Sequence, residues 1–189
     1  GHETTGNALT WAWHLLSNSP NVVERLHAEV DAVNISGMKN MEEVHELDYA
    51  GMVFAEALRT YPPAWVMMRQ ARMASELGGY QIKKGSLILL SQYITHNSPR
   101  YFPDPERFDP DRWTSERKTG LPRFAYFPFG GGPRTCIGEP LAKLEGVLLL
   151  ARIAHDWSLE SIPGSRVSLL PHITLRPAGS LQMRLRRRT

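Results

Sequence analysis

Ten residues, Phe129 to Gly138, read FGGGPRTCIG, and no regular helix or strand can run through them. Glycines at 130, 131, 132 and 138 open backbone conformations closed to other residues, and Pro133 withholds a donor. The only cysteine of the chain, Cys136, lies in this run, two residues after the guanidinium of Arg134. A thiolate persists near neutral pH where positive charge, backbone N–H groups or a metal stabilise it. The run offers the charge and the amides, and its glycines let the backbone pass close to a flat ligand. It reads as a cradle for a metal-bound thiolate. A buried, unreactive cysteine after a glycine-rich turn is the alternative.

The rest of the chain must supply a core around that loop. A length of 189 residues suffices for one ordinary core or two small ones, and no repeat or low-complexity tract divides it. One cysteine cannot close an intramolecular disulfide, which argues against a small stapled secreted domain and fits a reducing compartment. The strongest apolar stretch, VLLLARIA from Val147, is too short to span a bilayer. Gly1 opens the chain inside a helical pattern, so an N-terminal truncation is expected, with any leader, anchor or extra domain upstream. The net charge is +3, with basic residues gathered in the tail LRRRT and between Arg112 and Arg134. Such a surface suits anionic lipid or an acidic protein. No helix-turn-helix, zinc-finger or aromatic RNA-binding pattern accompanies it, so nucleic acid is not expected.

Apolar spacing predicts a helix from Gly1 to Asn18 carrying Ala8, Leu9, Ala12, Leu15 and Leu16. Ser19 and Pro20 then supply the cap and first turn of a second helix, reaching about Val33, with Val22, Val23, Leu26, Val30 and Val33 inward. After Gly37, MEEVHEL gives a helical turn, and a third helix from Asp48 to Thr60 is stopped by Pro62-Pro63. Strand-like segments follow at Trp65–Ala71, Tyr80–Ile82 and Ser86–Ser91, turned by Gly78-Gly79 and Lys84-Gly85. Residues 97 to 132 are irregular, and a stretch of that length is more often functional than accidental. A helix from about Pro140 to His155 shows Leu141, Leu144, Val147, Leu148 and Ala151 on one face, and Trp157 to Arg188 alternates like short antiparallel strands. The expected fold is mainly α with a minor antiparallel β part.

Four separated motifs agree on one family. Phe129, Gly132, Arg134, Cys136 and Gly138 meet the pattern F-x-x-G-x-R-x-C-x-G, which resembles the haem-binding loop of the cytochrome P450 superfamily. Glu56 and Arg59 form an E-x-x-R pair whose i,i+3 spacing puts both on one helix face. PERF and then PDRW follow, and the resemblance selects Arg112 over Arg107 as the arginine joining that pair in a buried structural triad. GHETT resembles the family's A-G-x-[DE]-T-T without its alanine; read alone, Thr-Thr near a helix start is a cap.

The resemblance covers essentially the whole chain and corresponds to the family's C-terminal, haem-binding half. It implies haem b with Cys136 as the axial thiolate, whose electron donation favours O–O cleavage. Glu3 and Thr4 would relay protons to bound O2, with Gly1 giving the helix room to pass the haem. Arg69 and Arg134 would hold the propionates, and His96 sits where a common family histidine could reach one, although a structural histidine is the simpler reading. The segment HNSP departs from the frequent H-R-D-P at that point. Trp65, Val66, Met67 and Met68 look like the substrate-contacting turn, an apolar wall for a hydrophobic substrate or ordinary core.

The implied activity is that of a monooxygenase fed by a ferredoxin or flavoprotein reductase, since no flavin or nicotinamide motif is present. Arg123, Arg134 and Lys143 would steer that partner. The continuation GEPLAKLE resembles bacterial, cytoplasmic members more than membrane-anchored ones. The rivals are a peroxide-using or isomerising thiolate-haem enzyme and an inactive or haem-binding-only fragment.

Overall fold

The computed structural model describes residues 1–33, 35–38 and 42–188. Met41, in the expected turn MEEVHEL, and Thr189 of the basic tail lie outside the described residues. In chain order the elements begin with helices α1 (His2–Leu16), α2 (Pro20–Ala32) and α3 (Asp48–Thr60). Strands β1 (Met67–Gln70), β2 (Ser75–Leu77), β3 (Tyr80–Ile82) and β4 (Leu87–Leu90) come next, then α4 (Gln92–His96), α5 (Ser115–Lys118) and α6 (Glu139–Asp156). The chain finishes with β5 (Trp157–Ser161), β6 (Leu169–Pro171), β7 (Leu175–Pro177) and β8 (Met183–Arg187).

Helix α3 is the centre of the core and touches α1, α2 and α6. Its inward residues Ala50, Val53, Phe54 and Ala57 meet Ala8, Ala12 and Leu16 of α1, Leu26 and Val30 of α2, and Leu150, Ala151 and Ala154 of α6. Burying one leucine such as Leu150 contributes about 1.5–3 kcal/mol. Contact between α3 and α6 requires Gly146, because a Cβ built there falls on the Phe54 ring. That glycine, with Leu150, Ala151 and Ala154, forms the buried face of α6. The expected stripe through Leu141 is therefore corrected: Leu141 is 58% exposed, Leu144 is half-buried, and Val147 and Leu148 are half-buried against the core.

The helix ends follow from local chemistry, with two departures. Pro20 opens α2 as expected, but the Ser19 side chain caps nothing; its carbonyl accepts from the Val22 and Val23 amides. The amides at the start of α3 find their acceptor on another helix, where the Glu29 carboxylate takes Tyr49 N at 2.6 Å and Ala50 N at 2.8 Å. Burial pushes the Glu29 carboxyl above its ordinary pKa, opposed by those two hydrogen bonds.

All strands pair antiparallel, two by two: β1 with β4, β2 with β3, β5 with β8, and β6 with β7. Gly78 and Gly79 turn β2 into β3 at φ +56° and +84°, values that favour glycine. Strand β2 and helix α4 fall in segments the spacing leaves unassigned, and the short helix α5 interrupts the stretch expected to be irregular. The β6–β7 hairpin leans on α1, where Trp11 Nε1 donates to the Leu175 carbonyl at 3.0 Å. Among the described residues, no helix is long and apolar enough to cross a membrane.

Candidate functional site

A cavity of about 420 Å³ opens between α1, α3, α6 and the cysteine loop. Gly1, at the N-cap of α1, and the small helix residues Thr5 and Ala8 line it, at the i, i+4, i+7 spacing of one helical face. Phe54 and Leu58 of α3 and Pro63, Ala64 and Met67 add apolar wall, and Leu141 and Ala142 line it from α6. The loop contributes Phe129, Gly130, Arg134, Cys136 and Gly138.

The loop holds its shape through its own backbone. Cys136 N donates to the Phe129 carbonyl at 2.9 Å, Gly130 N to Phe127 O at 2.9 Å, and Thr135 N to Gly132 O at 3.1 Å. Gly130 and Gly132 stand at φ +78° and +70°, so these closures depend on glycine. A Cβ added at Gly138 would lie 3.8 Å from the Cys136 Sγ, which keeps that flank of the sulfur open. The thiol is exposed, and α6 begins three residues after it, with the partial positive charge of a long helix's N-terminus. Arg134 is exposed beside it, with no carboxylate partner among the described residues. One soft sulfur, a free guanidinium and a wall of small and apolar residues suit an iron porphyrin bearing carboxylates.

Other expected site residues fall differently. Arg69 is exposed and off the lining; it shares a strand face with Met67, and its Nη1 donates to the Met68 carbonyl at 3.0 Å. Thr4 lines the cavity, with its hydroxyl donating to Gly1 O at 2.9 Å. Glu3 does not line it: its Oε1 accepts from the Thr174 hydroxyl at 2.7 Å, which turns the acid toward the β6–β7 hairpin. Trp65, Val66 and Met68 are also off the lining, and the Trp65 indole donates to the His172 carbonyl at 2.8 Å. Of that segment only Met67, Ala64 and Pro63 reach the cavity.

The carboxylate role for His96 is overturned. The ring is fully buried away from the lining, and its Nε2 accepts the Phe127 N–H at 2.9 Å. Burial, then the nearby Arg59 charge, lower its pKa to about 3, so it is neutral and cannot pair with an anion at neutral pH. It serves as a strut. Tyr93 N and the Ser91 hydroxyl tie the other end of α4 to the Trp65 carbonyl, so this short helix braces the apolar segment against the cysteine loop.

Beside the cavity, Glu56 gathers the buried cluster. Its Oε2 accepts from Arg59 Nε at 2.9 Å and Trp113 Nε1 at 3.0 Å; its Oε1 accepts from Arg59 Nη2 at 2.9 Å and Arg112 Nε at 3.2 Å. Arg107 contributes only its carbonyl, an acceptor for both arginines at 3.4 Å. Trp113 lies outside the motif pattern, although the indole N–H next to Arg112 in PDRW is its signal. Thr5, one turn after Gly1, and Gln92, one turn before His96, are further lining residues that spacing does not single out. Among the proposed steering cations, Lys143 is already paired with Glu139 at 2.6 Å and lies over the Phe129 ring, while Arg123 stacks on Phe124.

A family model described as cytochrome P450 matches residues 1–183. The chain is 45% identical over 183 residues to cyclooctatin synthase of Streptomyces melanosporofaciens, a match covering 97% of the chain and 40% of that protein. It is 42% identical over 165 residues to cyclooctat-9-en-7-ol 5-monooxygenase of the same organism, covering 87% and 36%. The crystal structure of a cytochrome P450 (CYP102L1) superposes with a TM-score of 0.90 at 36% identity, covering 100% of the chain and 43% of that structure. The cytochrome P450DA heme domain gives 0.92 at 32% identity, covering 100% and 42%. The chain thus spans about 40% of the length of these relatives.

Proposed function

We propose that this chain, which belongs to the cytochrome P450 family, is the haem-holding part of a monooxygenase that inserts one atom of O2 into a hydrophobic organic substrate. The observation that carries this reading is the Cys136 thiol on the wall of a cavity lined largely by apolar residues, opposite the small residues of α1. Haem b bound at Cys136 supplies the oxygen activation and the transfer of one oxygen atom to a C–H or C=C bond. The protein residues hold, orient and protonate. Cys136 gives the sulfur ligand, with Arg134 and the start of α6 beside it. Arg134 and Arg69 are the guanidinium partners for the two carboxylates. The Thr4 hydroxyl, on the cavity lining, is the last proton donor, and Glu3 stands one residue before it as the acid that resupplies it.

Pro63, Ala64 and Met67 supply the deformable apolar wall on which a hydrophobic substrate rests. Electrons come from a separate ferredoxin or flavoprotein, for which exposed Arg134 and Arg123 beside the loop offer positive charge. Two Streptomyces relatives support a bacterial setting. One observation favours a peroxide-using or isomerising enzyme instead: the hydrogen bond that holds Glu3 toward Thr174 and off the cavity lining.

The test is the reduced, CO-bound spectrum of the protein and of Cys136→Ser. The expected result is a red-shifted, thiolate-type Soret band in the parent that the mutant lacks. A folded parent without that band overturns the reading.

A further inference from the structure

Helix α6 carries the acids Glu139, Glu145 and Asp156, and two of them are paired: Glu139 with Lys143 at 2.6 Å, and Asp156 with Arg152 at 3.0 Å and His155 at 2.7 Å. Glu145 has neither a hydrogen bond nor an ion pair among the described residues. It is exposed and also lines the cavity, about two turns along α6 from Gly138, on the face that holds Leu141 and Ala142. Among the described residues, no other carboxylate borders that cavity, and Thr4 and Thr5 of α1 bring hydroxyls to it.

We propose that Glu145 is a second proton entry to the cavity, from the α6 wall. The inference rests on the oxygenase reading. One O2, one substrate C–H bond, two electrons from the donor protein and two protons from solvent give the alcohol and one water. Those protons must cross the cavity wall. A carrier has to meet bulk water on one side and the cavity on the other, and has to give up its proton on the way. Glu3 misses the cavity side, because the Thr174 hydroxyl holds its carboxylate off the lining. Arg134 keeps its proton, and the apolar wall has none to give. His2 also lines the cavity and is the competing carrier. The Glu145 carboxylate turns on three side-chain torsions, one more than the His2 ring, and no partner tethers it, so it swings between the two sides.

Three measurements on the purified protein test this. Labelled glutamate gives a carboxyl 13C resonance that Glu145→Gln removes. Cyclohexane, an apolar probe small enough for the cavity, is expected to shift that resonance; an unmoved resonance places the carboxylate in solvent only and overturns the entry. Product formation should fall about 10²-fold in Glu145→Gln, recover in Glu145→Asp and stay near wild type in His2→Asn. Wild-type turnover in Glu145→Gln, or a loss in His2→Asn instead, overturns it. The reduced, CO-bound spectrum separates the causes. A thiolate-type band kept in Glu145→Gln leaves the loss to proton supply, and a band lost there makes Glu145 structural and overturns the entry. A parent without the band overturns the oxygenase reading, and this inference with it.

Discussion

Glu3 and Thr174 lie 171 residues apart, and the Thr174 hydroxyl donates to the Glu3 carboxylate at 2.7 Å. Asn7 Nδ2 reaches the same hydroxyl at 3.2 Å, so one threonine of the β6–β7 hairpin restrains two residues of α1. The acid of the proposed proton relay is therefore parked on the hairpin, and Thr174 decides how readily it leaves.

Thr174→Val is expected to free Glu3 and change the ratio of product formed to electron donor consumed. Glu3→Gln should lower turnover by about 10²-fold or more, the size of a lost proton-transfer group, and Thr4→Ala should raise peroxide release. If all three variants keep wild-type coupling, the relay does not pass through these residues.

Removing one partner of the Glu56 cluster leaves a buried charge uncompensated. Arg59→Leu is expected to cost about 3–5 kcal/mol, and Arg112→Leu less, because Arg112 retains 10% exposure. Arg107→Leu should fall within about 0.5 kcal/mol, since only its backbone takes part. Urea unfolding of the three variants ranks them, and a large loss in Arg107→Leu would contradict the assignment.

At Gly146, substitution by alanine puts a methyl group into the Phe54 ring and should destabilise by about 1–3 kcal/mol. Phe54→Leu in the same chain makes room, so the double mutant should lose less than the sum of the singles. Strict additivity would mean that α3 and α6 do not meet there.

The His96 imidazole ties stability to pH. Its folded pKa, about 3, lies below the ordinary 6.5, so between those values the unfolded chain takes up a proton that the native ring refuses. The stability this ring confers is whole above about pH 6.5 and falls as the pH drops toward 3, by up to about 1.4 kcal/mol per unit. His96→Gln should flatten that part of the profile in equilibrium unfolding; an unaltered slope assigns it to other groups.

Much of this was legible along the chain because it is local. The third helix follows from apolar spacing and Pro62-Pro63, and the loop from its glycines. Arg112 follows from resemblance, which carries relative position through an irregular stretch that periodicity cannot read. What escaped depends on distant partners. Glu29 caps a helix twenty residues on, and Gly146 is needed only because Phe54 arrives from another element. Glu3 sits in a motif that names its chemistry, but its direction is set by Thr174. Trp65 and Met68 show the limit of composition: both are apolar in an apolar segment, and strand alternation together with the His172 carbonyl sends them elsewhere.

The carboxylate of Glu29 at the head of α3 bears on the order in which the chain assembles. Helix α3 begins without a cap of its own, so as an isolated segment it frays at its first turn. Only when α2 has docked do the Tyr49 and Ala50 amides find their acceptor, and the helix that carries Glu56 and Arg59 then becomes persistent. The first turn of the central helix is thereby tied to its neighbour, so a change that loosens α2 also loosens the start of α3.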